Sequence, residues 1–228
     1  MRVVVLTGAG ISAESGVATF RDSDGLWEGH DVEDVATPEG FARDPELVHR
    51  FYDARRRGLA LVEPNPAHQA LAALEDALGE DLLVVTQNVD DLHERAGSHR
   101  VVHMHGELRR ARCEVCGARP VWDADLLDAP PCPACGRATL RPDVVWFGEV
   151  PYELGLIDRA VTGCALFVAV GTSGAVYPAA GYVALAASSG ARTLELNLGP
   201  SAVSRYFDEV RTGPAAQLVP QWVAELVG

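Results

Sequence analysis

Four short apolar runs punctuate the chain: Val3 to Leu6, Leu82 to Val85, Ala165 to Val170 and Thr193 to Leu196. The first three are unbroken, the pattern of strands covered on both faces in a parallel sheet, and the fourth, Thr193-Leu-Glu-Leu196, is read with them as a buried strand. Between them the spacing turns helical. Ala67, Ala70, Leu71, Leu74, Ala77 and Leu78 fall on one face, and Gly79 marks the stop. A second helix is expected to begin at Asp44, a capping residue, with Pro45 in its first turn. Strands alternating with helices predict an α/β fold on a doubly wound, Rossmann-like parallel sheet. Such sheets bind ligands at the carboxyl ends of their strands. The segments that follow the runs are therefore the informative ones: Thr7-Gly-Ala-Gly10, Thr86-Gln-Asn-Val-Asp90, Gly171-Thr-Ser173 and Asn197-Leu-Gly199.

One segment breaks the alternation. From Arg109 to Pro142 the chain is rich in arginine, proline and cysteine and shows little periodicity. Cys113 and Cys116 are followed, after 15 residues, by Cys132 and Cys135, and each pair has a glycine one residue on. That spacing fits a structural zinc site, in which four thiolates close the tetrahedron and leave no position for water. The expected organisation is a small zinc-binding domain at 109–142 inside a larger Rossmann-like domain at 1–108 and 143–228, with a helical insert at about 31–64. The fifth cysteine, Cys164, stands in an apolar run and reads as a small buried residue rather than a nucleophile.

Composition narrows the chemistry. The 228 residues carry a formal net charge of −13, which argues against direct nucleic-acid binding. All 19 basic residues are arginine. A Schiff-base lysine and a P-loop lysine are thereby excluded. The opening Met1-Arg2 runs straight into an apolar stretch too short for a secretory leader, and no run approaches the ~18 residues a membrane span needs. A cytoplasmic protein without membrane partners is expected, and its cysteines then argue for metal rather than disulfides. The oligomeric state stays open, with a monomer as the simplest expectation.

Two further stretches carry candidate chemistry. In "LTGAGISAESG", Gly8-x-Gly10 directly follows a strand, so the backbone could approach a pyrophosphate, or the glycines could serve a tight turn. The full dinucleotide fingerprint is absent, which weighs against an ordinary dehydrogenase. In "HMHGELRRARC", His103 and His105 would point the same way on a strand end. His105 lies at the junction of sheet and insert, where a cleft would form, and an imidazole there could act as a general base.

Taken together, "GAGIS", "TQNVD", "HG" eight residues before a CxxC pair, "RPDVVWFGE" and "GTS" occur in an order and at separations that resemble the sirtuins, NAD-dependent protein deacylases. The resemblance spans essentially the whole chain and is strongest to bacterial members of the desuccinylase and demalonylase class. It implies NAD+ as co-substrate, acyl-lysine proteins or peptides as partners, and one structural zinc on Cys113, Cys116, Cys132 and Cys135. Gly8, Ala9, Gly10, Ser12 and Glu14 would lie under the pyrophosphate. Thr19, Phe20, Arg21 and Trp27 would belong to a cofactor loop, in which Ala18 and Thr19 replace a more usual proline and aspartate. Gln87, Asn88 and Asp90 would line the nicotinamide and ribose pocket, with Asn88 and Asp90 joining His105 in catalysis. Gly171, Thr172, Ser173, Asn197, Leu198, Gly199 and Ala215 would meet the adenosine side. Val144, Val145, Trp146, Phe147 and Gly148 would form the strand that pairs with substrate peptide.

A third stretch, "FYDARRRG", reads less simply. At roughly 100° per residue, Leu47, Val48, Phe51, Ala54 and Gly58 gather on one arc. Arg50, Arg56 and Arg57 fall away from it and are expected in solvent. Arg55 projects within the arc, with Tyr52 at its edge. A guanidinium in apolar surroundings needs a carboxylate, and either a ligand or an internal acid such as Asp53 or Glu39 could supply one. The Tyr-x-x-Arg pattern resembles that of desuccinylase-like sirtuins, whose small pocket-floor residue matches Ala36. The resemblance implies that Tyr52 and Arg55 read the distal carboxylate of a succinyl or malonyl group, with acetyl also accommodated. Two other readings use parts of the same pattern: an ADP-ribosyltransferase on this scaffold, and a non-catalytic zinc-ribbon binding module.

Overall fold

A computed structural model of the chain describes residues 1–18, 26–27 and 29–228. The elements are β1 (Val3–Thr7), α1 (Ala9–Ser12), β2 (Leu26–Trp27), β3 (His30–Asp31), α2 (Val32–Val35), α3 (Pro38–Arg43), α4 (Pro45–Leu59), α5 (Pro66–Leu78), β4 (Leu82–Thr86), α6 (Leu92–Arg95), β5 (Val101–His103), β6 (Gly106–Cys113), β7 (Leu140–Val144), α7 (Leu154–Thr162), β8 (Leu166–Val170), α8 (Tyr182–Ser188), β9 (Arg192–Asn197), β10 (Glu209–Thr212) and α9 (Ala215–Val227). Six strands form one sheet in the order β10-β9-β8-β1-β4-β5, and every neighbouring pair is parallel. The chain winds from β1 outward to β5, then returns to β8 and winds outward to β10. The order reverses between β1 and β8, which puts the ligand-binding crevice of such sheets at their carboxyl ends.

Alternation along β1 explains why both sheet faces are covered. Val3 and Val5 point to one side and meet Leu71 and Leu74 of α5 and Val219 and Trp222 of α9. Val4 and Leu6 point to the other and meet Ile157 and Val161 of α7 and Tyr182 and Val183 of α8. The expected strands and the α5 helix are present; α5 ends at Gly79, which closes the helix at φ 56°. Two edge strands, β5 and β10, were not expected. Their residues are half-buried or alternate between half-buried and exposed, so they lack the apolar run that marks the central strands.

The insert is a two-stranded antiparallel ribbon of β6 and β7, with Gly106 opposite Val144 and an irregularity between Glu107 and Ala111. The ribbon therefore begins before Arg109 and ends after Pro142. Its base is tight. Gly106 sits at φ 83°, and a Cβ built on it would lie 2.0 Å from the Asp143 carbonyl oxygen. Packed against this ribbon, α4 begins as expected, the Asp44 carboxylate accepting from the Leu47 amide and Pro45 opening the helix. Among the described residues no helix is long and apolar enough to cross a membrane.

Gly106→Ala should cost about 2–3 kcal/mol, because an L side chain is strained at positive φ and has no room here. For a chain this size that is a drop of about 5–10 °C in Tm. Thermal melts followed by circular dichroism check it, and an unchanged Tm would mean the ribbon base can open.

Candidate active site

The loops after β1, β4 and β8 meet through their backbones. The Gly8 amide donates to the Val170 carbonyl (3.0 Å), the Gly10 amide to Gly171 (2.9 Å) and the Gln87 amide to Thr7 (2.9 Å). The approach is close because side chains are missing: a Cβ on Gly10 would lie 2.7 Å from the Gly171 Cα. The Asn197 amide at the end of β9 donates to the Thr172 carbonyl (2.7 Å), drawing the third loop in. Ser173 caps its own turn, accepting from the Ala175 amide at 3.2 Å. Leu198 is exposed, Gly199 follows it beyond the strand, and Ala215 is buried at the start of α9. Glu14 is exposed and its carboxylate accepts from the Ala216 amide (2.8 Å), tying the first loop to α9. Thr19, Phe20 and Arg21 lie outside the described residues, and of Trp27 only the backbone is described, in β2.

Beneath these loops lies a buried polar network. Asn88 Nδ2 donates to the Gly8 carbonyl and to Ser12 Oγ, both at 3.1 Å. Ser12 in turn donates to Asp90 Oδ2 (3.0 Å), and Asp90 Oδ1 accepts from the Leu92 amide. Burial raises the Asp90 pKa above its ordinary value, against the Ser12 and Leu92 hydrogen bonds that pull it down. Ser12 Oγ is also 3.4 Å from His68 Nε2, while Nδ1 of that ring takes the Asn65 amide proton. Burial depresses His68 to about 4, so it is a neutral ring. The amide donor fixes its proton on Nε2, which gives Ser12 a second donor and directs its own hydrogen to Asp90. His93, fully buried and 5.0 Å from His68 between centroids, meets Thr7 Oγ1 at 3.0 Å. The sequence reading missed His68 and His93. The signal was there for His68, a polar residue three positions after the Asn65 helix cap in an otherwise apolar arc.

The two histidines at the insert junction differ in chemistry. His103 ends β5; His105 lies in the turn beyond it, so the two are not on one strand. Both rings nevertheless reach the loop after β4. His103 faces an acceptor at each nitrogen, the Asn88 carbonyl at 3.2 Å and Glu94 at 2.8 Å. Burial pulls its pKa down, but the Glu94 hydrogen bond and charge outweigh burial and raise it. His105 makes one such bond, from Nδ1 to the Gln87 carbonyl (3.0 Å), and burial lowers its pKa. A carbonyl can only accept, so Nδ1 carries the hydrogen and the lone pair sits on Nε2. His105 is thus a neutral base with a fixed tautomer.

A second cluster lies beside this cleft. Ala36, Tyr52, Val144 and Trp146 are buried together with Val35, Val48 and Leu108. The strand extension past β7 is fixed at both ends: the Val145 amide donates to His105 (2.8 Å) and the Phe147 amide to Ala36 (2.9 Å). Phe147 is exposed and Gly148 sits at φ 89°. Tyr52 is fully buried, and burial holds its phenol protonated far above the usual range. Trp146 Nε1 donates to the Tyr52 oxygen at 3.0 Å. Arg55, one helical turn on, is half-buried, with its guanidinium carbon 5.6 Å from the Phe51 ring centre.

The helical projection of α4 needs correcting. Ala54 and Gly58 are exposed, and Arg56, expected in solvent, is buried. Its Nη1 binds Asp53, one turn back on the same helix, at 2.7 Å, and its Nε donates to the Leu108 carbonyl at 2.9 Å, a partner that only the tertiary fold supplies. Asp53, weighed as a partner for Arg55, is the carboxylate that holds Arg56. Arg50 and Arg57 are exposed as expected, paired with Glu46 and Asp125.

The four cysteines of the insert bring their sulfurs within 4.8 Å of one another. Cys113 and Cys135 are 3.7 Å apart, Cys116 and Cys132 3.8 Å. Zinc–sulfur bonds of about 2.3 Å in a tetrahedron put sulfurs about 3.8 Å apart, so the donor set fits that ion. The Thr139 hydroxyl, 3.3 Å from Cys113, and then the Cys116 and Val115 amides lower the pKa of that thiol and favour the thiolate a metal requires.

A doubly wound sheet with its crevice at the β1/β8 reversal, a neutral histidine base at the rim and a four-cysteine insert define a nucleotide-dependent enzyme of the Rossmann type. The model of the Sir2 family matches residues 8–178. An NAD-dependent protein deacylase of Escherichia coli strain K12 is 57% identical over 229 residues, covering 99% of this chain and 82% of the relative. A crystal structure of a Sir2 homologue in complex with NAD superposes with a TM-score of 0.90 at 39% identity, covering 99% of this chain and 89% of that one. A Sir2 structure with a deacetylated p53 peptide and 3′-O-acetyl ADP-ribose gives 0.85 at 29% identity, covering 98% and 93%. The chain belongs to the Sir2 family; it is a sirtuin.

Nuclear magnetic resonance titration of 15N-labelled histidine should find His105 losing its proton below the ordinary 6.5 and His103 above it, with His105 holding the Nδ1–H tautomer when neutral. The reverse order would overturn the hydrogen bonds assigned to the two rings.

Proposed function

We propose that this chain is an NAD-dependent protein-lysine deacylase that removes succinyl and malonyl groups and also accepts acetyl. What carries the acidic-acyl preference is the pairing on α4 of a buried neutral phenol, Tyr52, with Arg55 one turn on, beside Trp146 and the small Ala36. The indole N–H can only donate, so the phenol oxygen accepts there and its own hydrogen is turned to another group. A neutral O–H donor next to a guanidinium suits a carboxylate, which accepts from both; an acetyl methyl offers neither contact.

When bound, NAD would supply an electrophilic ribose carbon, so that acyl-lysine, NAD and one water would give free lysine, nicotinamide and 2′-O-acyl-ADP-ribose. The chain provides the rest. The bare backbones at Gly8, Gly10 and Gly171 make the floor for the pyrophosphate, with Ala9 and Ser12 between them. Gln87, Asn88 and Asp90 line the nicotinamide and ribose end. Asn88 and Asp90 are locked by Ser12, so their dipole and charge stabilise positive character at the sugar without reorganising. Thr172, Ser173, Asn197, Leu198, Gly199 and Ala215 take the adenosine side, and Glu14 holds α9 against that loop. Thr19, Phe20, Arg21 and Trp27 would contact the cofactor, a role that rests on the family resemblance. His105 Nε2 takes a proton from a ribose hydroxyl, the step a fixed Nδ1–H tautomer prepares. Val144 to Gly148 offers a strand for the substrate backbone, and Cys113, Cys116, Cys132 and Cys135 would hold one structural zinc. The nucleotide part is taken as 1–108 and 143–228 and the zinc part as 109–142, with the ends of β6 and β7 running across both boundaries.

Arg55→Met should lower kcat/KM on a succinyl-lysine peptide by about 100-fold, the loss of a bidentate charged contact. On the acetyl version of the same peptide the change should stay within about threefold, and equal losses on both would reject the pocket. His105→Ala should abolish turnover on either peptide. Because a neutral ring is needed and burial lowers its pKa, kcat/KM should fall only as pH drops below 6.5. An acid limb above that value would assign the base elsewhere.

A further inference from the structure

Helix α4 presents two working sides, and the proposed function uses only one of them. Tyr52 and Arg55 face the acyl cluster. Asp53 and Arg56, each one residue on and thus about 100° around the helix, face the insert. Asp53 is 1% exposed and Arg56 5%, so neither is a solvated charge.

Apart from their bond to each other, their partners all belong to the insert or its base. The Asp53 carboxylate accepts from the Leu126 amide at 3.0 and 2.9 Å and from the Leu127 amide at 3.1 Å. Arg56 donates through Nε to the Leu108 carbonyl (2.9 Å) and through Nη1 to the Ala124 carbonyl (3.1 Å) and Asp53 (2.7 Å). A buried ion pair is weak support for stability, because apolar residues of the same size often do as well. Its stronger use is to fix registry. The apolar packing of α4 is non-directional and tolerates small rotations. A carboxylate bridging two successive amides and a guanidinium spanning two carbonyls do not.

We propose that Asp53 and Arg56 are positioning residues for acyl selectivity: they clamp α4 to the cysteine-bearing insert and so set where Tyr52 and Arg55 meet the acyl carboxylate. The proposal rests on the reading of Tyr52 and Arg55 given above. The leverage follows from helix geometry. A side-chain tip lies roughly 6 Å from the helix axis, so a 10° rotation moves the guanidinium by about 1 Å. Bidentate recognition tolerates about 0.5 Å, and 1 Å of misplacement can cost about 100-fold. An acetyl group makes no such contact and should not register the rotation.

The test compares Arg56→Met and Arg55→Met on succinyl- and acetyl-lysine forms of one peptide at saturating NAD, with Tm measured for each. Arg56→Met should raise the succinyl-peptide KM by about tenfold or more while leaving acetyl kcat/KM within about threefold. Should Arg56→Met fail to fold, Asp53→Asn, which keeps shape and one acceptor oxygen, should show the same split. A folded variant that loses both activities alike, or neither, overturns the clamp when Arg55→Met remains selective. If Arg55→Met is itself unselective, the pocket reading falls and the clamp falls with it.

Discussion

The site depends on one contact between backbones. Gly10 donates its amide to Gly171, and the two loops come close enough that a single methyl group would separate them. That contact joins the carboxyl ends of β1 and β8, where the winding of the sheet reverses. The Gln87–Thr7 bond brings in the end of β4, and Asn197–Thr172 the end of β9. Four strand ends are thus drawn to one place by hydrogen bonds that need no side chain, except for one asparagine. Everything chemical is hung on this frame: the Ser12, Asn88 and Asp90 network below it, and His105 at its rim.

The network under the frame is expensive to bury, and the groups around Asp90 are neutral. His68 is depressed to about 4 and His93 well below its ordinary value, both chiefly by burial, so neither brings a charge into the core. The His68 hydrogen instead orients the Ser12 hydroxyl. Ser12 receives from Asn88 and His68 and gives to Asp90, which fixes the direction of a hydroxyl that would otherwise rotate. A carboxylate held by one oriented hydroxyl and one amide is already arranged before any ligand arrives. That is the condition for stabilising developing positive charge without first moving the protein.

Much of this was legible in the chain, for physical reasons. Central parallel strands are covered on both faces, so β1, β4 and β8 announce themselves as apolar runs, while β9 buries Thr193 and Glu195 among its leucines. Four sulfurs around one point impose a spacing, so the cysteine pairs do the same. The edge strands β5 and β10 escape because one side of each meets solvent and their patterns are mixed. Arg56 was misread because a helical wheel treats every charge as seeking water. Its carbonyl partners lie 52 and 68 residues away in sequence, and nothing local reveals them. His68 and His93 escape for a related reason: they are polar residues on apolar faces whose partners belong to other loops.

The seam between insert and sheet shows what a chain without lysine does with its arginines. Arg141 lies 3.9 Å over the Trp146 ring and binds Glu149, which also accepts from Arg112 (2.9 Å) and from the Trp146 amide (2.9 Å). Arg119 binds Asp143 at 2.6 Å and packs 4.0 Å over Tyr152, whose hydroxyl donates to the same carboxylate. Guanidinium groups stay charged at any pH a protein meets, and their flat faces stack while their edges hydrogen-bond. Glu149 is pushed up by burial, but the Arg141 and Trp146 hydrogen bonds outweigh it and hold its pKa below the ordinary value. A depressed carboxylate adds stability above its unfolded pKa and loses it only as pH falls through the folded one. The Glu149 link therefore keeps its charges throughout the neutral range. The Trp146 indole, which orients the Tyr52 hydroxyl, is held by groups that do not titrate where His103 and His105 do. Around neutrality this arginine seam therefore keeps its charges and its hold on Trp146.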